Sequence, residues 1–275
     1  MQYTSLRLGL LASALTASLF FSSCRRDSNG KDNDTTIAAD NALSEFIYED
    51  ADHIADDASG KQTGENLGNY KTASNCATVT HDTLSNPKTI TVDFGPTNCL
   101  CNDGRYRRGK VLVTYTGKYR DSGSVRTLGF DNYFVNNNQV LGSRTVSNMG
   151  HNAQNQTYFS ITVNGLIIKA NTQDSVIWNS NRVRTWTMGE ATTTWADDVY
   201  EVTGNASGQK ANGQTWTMNI TSPLKRNLSC NWISAGTIEL QPTGKPLRTI
   251  DFGNGTCDNQ ATVTINGTVY TITLN

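Results

Sequence analysis

From residue 76 onward, hydrophobic and polar residues alternate with a period of two along most of the chain. This period places hydrophobic residues on one face of a strand and the intervening Thr, Ser and Asn residues on the other. One buried and one solvated face is typical of antiparallel sheet. We therefore expect an all-β domain of about 10 to 12 strands, joined mainly as hairpins in a large twisted or two-layered meander. The alternation is clear in Ile90, Val92 and Phe94; in Val111, Val113 and Tyr115; in Phe159, Ile161 and Val163; in Trp216, Met218 and Ile220; and in Tyr270, Ile272 and Leu274.

One segment near the N-terminus has a helical pattern instead. Between Asp40 and Ala58, hydrophobic residues recur at spacings of three and four, with acidic residues between them. Asp40 is a suitable N-cap and Gly60 a suitable stop signal. Because one amphipathic helix is not stable alone, we expect helix 40–58 to pack its hydrophobic stripe on the sheet. The stripe contains Leu43, Phe46, Ile47, Ala51, Ile54 and Ala58, and the acidic face contains Glu45, Glu49, Asp50, Asp52, Asp56 and Asp57.

Residues 1–23 have the pattern of a lipoprotein signal peptide. Arg7 precedes an uncharged run from Leu8 to Phe21, which is shorter than the roughly 20 residues needed to span a membrane. The run ends in Phe-Ser-Ser-Cys24, which resembles a relaxed bacterial lipobox. We predict cleavage before Cys24 and acylation of this cysteine, which would attach the protein to a membrane. An ordinary secretory signal cut near Ser23 is the alternative.

The polar residues 24–36 are predicted to form a flexible tether, followed by a single β-rich domain over residues 37–275. Arg25 follows the cysteine, in place of the aspartate associated with retention in the inner membrane. This favours the outer membrane and leaves its periplasmic and surface faces open as alternatives.

An Asp-Phe-Gly segment followed by a cysteine occurs twice. Cys99 lies six residues after Asp93, and Cys257 lies six residues after Asp251. The repetition predicts an internal duplication of the sheet. In each copy we expect the phenylalanine to end an inward-facing strand and the aspartate to cap a turn whose glycine has a positive φ.

Aligning the two copies of the repeat makes Cys76 equivalent to Cys230. The natural disulfides are therefore Cys76 with Cys99 and Cys230 with Cys257, which leaves Cys101 unpaired. Each disulfide would close a loop and stabilise the folded state by about 3 kcal/mol. The alternative is that all of these cysteines are reduced and act as small buried hydrophobic residues.

Candidate ligand contacts come from basic and aromatic residues. Arg105, Arg107 and Arg108 belong to a basic cluster between residues 105 and 126, whose default interpretation is a solvated loop and strand face. The sharper alternative is contact with anionic lipid headgroups, whereas nucleic acid is not expected for an exported protein. Trp186 is in phase with the core, but Trp195 is not committed to a strand face, and it could stack on a sugar ring.

No motif for nucleotide binding, nucleophilic hydrolysis or zinc binding occurs, so we predict no catalytic residue, metal or cofactor. The best pair of carboxylates for a glycosidase is Asp93 with Asp251, if pseudosymmetry brought them together across a cleft. Duplicated structural turns explain these aspartates more simply.

Three further segments characterise the chain: Asp103-Gly-Arg-Tyr-Arg-Arg-Gly-Lys-Val-Leu-Val-Thr-Tyr-Thr-Gly, Phe130-Asp-Asn-Tyr and Ala261-Thr-Val-Thr-Ile-Asn-Gly. Together with the signal ending at Cys24, the acidic helix and the Asp-Phe-Gly to cysteine spacing, they cover nearly the whole mature chain. In these features the chain resembles a family of uncharacterised β-rich lipoproteins common in Bacteroidetes-type bacteria. The resemblance implies an envelope location and carries no established activity.

Three functions follow as hypotheses. The leading one is a non-enzymatic envelope lipoprotein that binds glycan or lipid, with an aromatic and apolar groove and no convergent ionisable cluster. An enzyme acting on envelope polysaccharide would instead bring two or more carboxylates together in a cleft. A lipid carrier would need a half-open sheet with a continuous apolar concavity.

Overall fold

The computed structural model describes residues 32–63, 76–170, 172, 174–192, 194–230 and 232–274. Within these residues it contains one helix, α1 (Thr36–Thr63), 14 strands and a single 3-10 turn (Trp195–Asp197). The strands are β1 (Thr78–Asp82), β2 (Lys88–Asp93), β3 (Cys99–Leu100), β4 (Tyr106–Tyr115), β5 (Val125–Val135), β6 (Asn138–His151), β7 (Thr157–Ile168), β8 (Ser175–Met188), β9 (Val199–Lys210), β10 (Thr215–Asn227), β11 (Ile233–Pro242), β12 (Arg248–Asn254), β13 (Gln260–Ile265) and β14 (Thr268–Thr273).

All 14 strands belong to one antiparallel sheet in which chain order is sheet order. The exception is β3, which pairs only with β4 and leaves β2 hydrogen-bonded to β4. The predicted all-β meander with one helix is confirmed, as one continuous sheet. The count exceeds 10 to 12 because β3 has two residues and β1 contains one hydrophobic residue, Val79, so neither carries a strong alternation.

The alternation of burial follows the predicted period. Along β8, every second residue from Val176 to Trp186 is buried and faces the inside of the sheet. The strand β10 departs from regular pairing, because its register with β9 shifts between Asn219 and Leu224. Such irregularities bend a strand and increase its twist, so β10 is a point where the sheet curves.

The helix α1 packs on the inner face of the sheet against β2, β4, β5 and β8. It begins before the predicted start because the Asp34 carboxylate accepts a hydrogen bond from the Thr36 backbone N–H (2.9 Å). The predicted N-cap, Asp40, lies inside the helix and binds Lys169 (2.8 Å). Gly60 does not stop the helix, which tolerates an internal glycine at a cost of about 1 kcal/mol.

Tyr48 joins the helix to the middle of the sheet. Its ring stacks on Trp178 (centroids 5.9 Å apart) and meets the edge of Phe130 (6.0 Å). Its hydroxyl donates a hydrogen bond to the carbonyl of Leu141 (2.7 Å). The approach is possible because β7 has Gly165 beneath the ring, where a Cβ atom would lie 2.2 Å from the Tyr48 hydroxyl.

The two predicted disulfides, Cys76 with Cys99 and Cys230 with Cys257, are present. Cys101 stays unpaired among the described cysteines and is buried in the core. The first bridge attaches the segment before β1 to β3, and the second connects the segment between β10 and β11 to the one after β12.

The two Asp-Phe-Gly segments have matching local geometry. The carboxylates of Asp93 and Asp251 each accept a hydrogen bond from the backbone N–H two residues later, at 2.8 Å. The donors are Gly95 (φ 77°) and Gly253 (φ 90°), whose conformations are strained for residues with a side chain. The predicted turn chemistry is therefore confirmed, while the duplication of the whole sheet stays a prediction.

Candidate ligand cavity

Acidic residues of α1 are directed at the sheet. Asp52 is fully buried and accepts hydrogen bonds from Arg126, from Arg144 (3.2 Å) and from Arg184 (3.1 Å). This differs from the expected packing through a hydrophobic stripe alone, because strands β5, β6 and β8 also present arginines on their inner faces. The helix is held by both hydrophobic contacts and buried ion pairs.

Further ion pairs run along the helix. Each of them joins an acidic residue of α1 to a basic residue of the sheet or of a loop beside it. They are Asp40 with Lys169 (2.8 Å), Glu45 with Arg182 (2.6 Å), Glu49 with Arg144 (2.7 Å), Asp50 with Arg107 (2.7 Å) and Asp56 with Arg126 (2.5 Å).

The guanidinium groups around Asp52 and Glu49 offset the effect of burial on the pKa values of these two carboxyl groups. Burial alone would raise the pKa of Asp52, but the three guanidinium groups around it hold that pKa well below its usual range. Burial also opposes ionisation of Glu49, yet Arg144 and Arg184 lower the pKa of Glu49 to about 2. The same carboxylates raise the pKa of Arg144 in spite of its burial.

A cavity of about 960 Å³ is lined on one side by α1 and on the other by the strands from β8 to β12 and by β14. Most of its wall away from the ion pairs is apolar. The apolar wall includes Leu43 and Phe46 of α1, Met218 of β10, Ile238 of β11, Phe252 of β12 and Ile272 of β14.

The stripe of α1 that lines the cavity becomes more polar along the helix. Its first part contributes the apolar side chains of Ala39, Leu43 and Phe46, at spacings of four and three, beside Asp40, Asn41 and Glu45. Its second part continues the same face with polar residues, Glu49, His53 and Asp56 among them. On the sheet side, β8 adds Ser180, Arg182 and Arg184. The cavity is therefore amphipathic, with an apolar region and an ionisable region.

Of the three arginines predicted as ligand contacts, only Arg105 lines the cavity as described, with its guanidinium 4.4 Å from the centre of the Phe46 ring. Arg107 is fully buried against Asp50, so the interpretation as a solvated face is wrong for this residue. Arg108 stacks on the ring of Phe134 at 3.6 Å. The acidic helix requires buried counter-charges, which is why Arg107 and Arg126 of the basic cluster point inward.

The phase of a tryptophan in the alternation of a strand predicts whether its side chain belongs to the core. Trp186 and Trp216 are buried in the core, with 3% and 1% of their surface exposed. The backbone of Trp195 forms the 3-10 turn between β8 and β9, and its side chain lies outside the described residues. Its role as a glycan contact stays a prediction.

The structure does not bring the duplicated aspartates together in the cavity. Asp93 ends β2 and Asp251 lies on β12, with β4 to β11 between these strands in the sheet. Each carboxylate binds its own turn, and neither is among the described residues that line the cavity. The candidate pair for glycoside hydrolysis is thereby lost.

Carboxylates do line the cavity, contrary to the expectation for the leading hypothesis. Most of them are paired with cations, and Asp198 accepts a hydrogen bond from Trp186. A carboxyl group with the low pKa of Glu49 cannot act as a general acid near neutral pH. Within the described residues, no cluster of His, Cys, Asp and Glu has the arrangement of a metal site. The ionisable region is suited to binding and orientation.

No protein-family model, curated protein or solved structure matches the chain. The resemblance to envelope lipoproteins therefore stays a prediction. Across the described residues, no helix is both long and apolar enough to cross a bilayer. The case for a function rests on the cavity.

Proposed function

We propose that this protein is a non-enzymatic, membrane-anchored binding protein whose cavity holds an amphipathic, lipid-like ligand. The observation that carries the proposal is the cavity of about 960 Å³, which is apolar in one region and ionisable in the other. Its size is at the upper end of ligand pockets, which hold about 300 to 1,000 Å³. Such a space accommodates a hydrocarbon chain together with a polar head.

The apolar wall can supply the binding energy. Burying one CH₂ group contributes about 0.8 kcal/mol. About ten buried CH₂ groups would contribute about 8 kcal/mol, which corresponds to a dissociation constant of about 1 μM before the cost of ordering the chain is subtracted. Polysaccharide offers no comparable apolar surface, so the cavity favours lipid over glycan.

The predicted anchor supports the same function. Asp32 and Asp34 already bind Arg248 and Lys245, so the predicted tether shortens to residues 24–31. Acylation of Cys24 and this tether would keep the domain close to a membrane, within a root-mean-square reach of roughly 15 Å. Both lie outside the described residues. Mass spectrometry of the protein from its native membrane tests this part, because a chain that still carries residues upstream of Cys24 would refute it.

Ligand binding can be tested on a soluble form that begins after Cys24. A fatty acid with an environment-sensitive fluorophore should bind and be displaced by lipids, and soluble oligosaccharides should not compete. Ala42→Trp places a large side chain on the cavity face of α1 and should weaken binding. Leu112→Trp, on the solvent face of β4, is the matched control and should bind as the wild type does. Competition by oligosaccharides, or equal binding by both variants, would contradict the proposal.

A further inference from the structure

We infer that the ionisable region of the cavity binds the phosphate of a phospholipid head group, with Ser180 as a hydrogen-bond donor. The inference rests on the proposed function and identifies the ligand class. Its structural basis is a set of buried donors on β8 that line the cavity and have no protein acceptor among the described residues.

Ser180 is the decisive residue. It is 1% exposed, it lines the cavity, and its hydroxyl has no hydrogen-bond partner within the described part of the chain. Buried polar groups in proteins are almost always paired, because an unpaired one has lost its hydrogen bonds to water. An unpaired serine hydroxyl at an inner position of a strand is therefore available for a hydrogen bond to a group from outside the chain.

Two arginines extend this donor set along the same strand. Arg182 and Arg184 follow Ser180 at the next inner positions of β8, and both are buried and line the cavity. Their terminal nitrogens are engaged, since Arg182 binds Glu45 and Arg184 binds Asp52. The Nε–H of each arginine has no acceptor among the described groups.

The unpaired Nε–H groups of Arg182 and Arg184 can only donate, and the Ser180 hydroxyl can donate as well as accept, so a ligand that presents acceptors can pair with all three. A phosphate group offers several oxygens and carries the negative charge that guanidinium groups bind best. Arg144, which is paired with Glu49 and Asp52, lies in the same register row as Ser180, two strands away across β7. The row thus places a cation and a hydroxyl donor about 10 Å apart on one wall.

The same row explains why the phosphate would belong to a lipid. Ser180 pairs in register with Ala206 of β9, and Ala206 pairs with Met218 of β10. The apolar wall therefore begins directly beside the serine hydroxyl. A phosphate bound at Ser180 would have its acyl chains against Met218 and the strands beyond it.

The test compares Ser180→Ala with the wild type by titration with four ligands. These are a short-chain phosphatidylglycerol, the diacylglycerol with the same chains, a fatty acid and inorganic phosphate. We expect Ser180→Ala to bind the phospholipid about tenfold more weakly, as expected for loss of a hydrogen bond to a charged group. Its affinity for diacylglycerol should not change, and its urea midpoint should not fall, since the hydroxyl has no protein acceptor among the described groups.

Ser44→Ala is the matched control, because the Ser44 hydroxyl is buried and bonded to the Asp40 carbonyl (2.8 Å). This variant should lose some stability and keep the affinity of the wild type for phospholipid. Unchanged phospholipid binding by Ser180→Ala overturns the inference, as does a wild type that binds diacylglycerol or fatty acid as tightly as phospholipid. Tight binding of inorganic phosphate alone would overturn the lipid assignment. Failure of every lipid, diacylglycerol included, would refute the proposed function together with the inference.

Discussion

Replacing Asp52 with asparagine tests whether buried ion pairs hold the helix in the sheet. The substitution keeps the size and shape of the side chain and removes one negative charge. Asp52 is fully buried and faces Arg126, Arg144 and Arg184. The variant leaves three buried guanidinium groups with less compensating charge than they have in the wild type.

The expected loss is about 3 to 5 kcal/mol in the free energy of unfolding, which is typical when one partner of a buried ion pair is removed. The loss should be smaller than the sum for three separate ion pairs, because Arg144 still contacts Glu49 (2.7 Å) and Arg126 still contacts Asp56 (2.5 Å). Since domains are stable by about 5 to 15 kcal/mol, the variant would lose a large share of its stability.

The effect should also depend on pH with a defined sign. The pKa of Asp52 is lowered in the folded protein, so its charge stabilises the fold above the ordinary pKa of 3.8. That contribution is lost as the pH falls through the lower, folded pKa. The difference between wild type and Asp52→Asn should be complete at about pH 7 and should shrink as the pH falls below about 4.

Urea unfolding followed by circular dichroism measures the change, and urea is preferred because guanidinium chloride would screen the ion pairs. Glu239→Gln, on the exposed face of β11, is the control and should stay within about 0.5 kcal/mol of the wild type. A loss below about 1 kcal/mol at neutral pH, or a difference that does not shrink in acid, would refute the role assigned to the buried network.

Three further predictions concern packing, titration and access. Gly165→Ala should destabilise the protein by about 1 to 3 kcal/mol, because the added Cβ would meet the Tyr48 hydroxyl. The control Gly129→Ala has no described heavy atom within 4 Å of its Cβ and should not destabilise the protein. The midpoints of urea unfolding of the two variants measure the difference. Burial lowers the pKa of His53 from 6.5, so the wild type should lose stability as the pH falls from about 7 to about 5, and His53→Gln should show a flatter curve of melting temperature against pH. Cys101 is 3% exposed and burial raises its pKa, so a maleimide reagent should label this thiol in urea and leave it unlabelled in the native protein; native labelling would contradict its place in the core.

Much of the fold could be predicted because its signals are local. Each strand shows its own alternation, and each hairpin joins neighbours in the chain, so the meander needs no long-range information. The helical pattern also predicts the helix, although the observed helix begins at Thr36, four residues before the predicted N-cap Asp40. What the alternation missed were strands with too few hydrophobic residues to show a period, such as β3 (Cys99–Leu100).

The buried ion pairs do have a signal in the sequence. Arg182 and Arg184 occupy the same alternate positions as Trp178 and Trp186, which marks them as inward-facing residues. Cations in the buried phase of a strand, in a chain with one acidic helix, predict charge pairing between the two. The cavity had no such signal, because it depends on how far the sheet curves away from α1, and no local pattern encodes that distance.

Native mass spectrometry of the gently purified protein detects a ligand in the cavity without prior choice of its chemistry. We expect the protein to carry one bound lipid, released on unfolding and identified as a phospholipid, and the Ala42→Trp variant to carry much less. A wild-type protein that retains no lipid, or one that retains an oligosaccharide in its place, would contradict the assignment of the cavity.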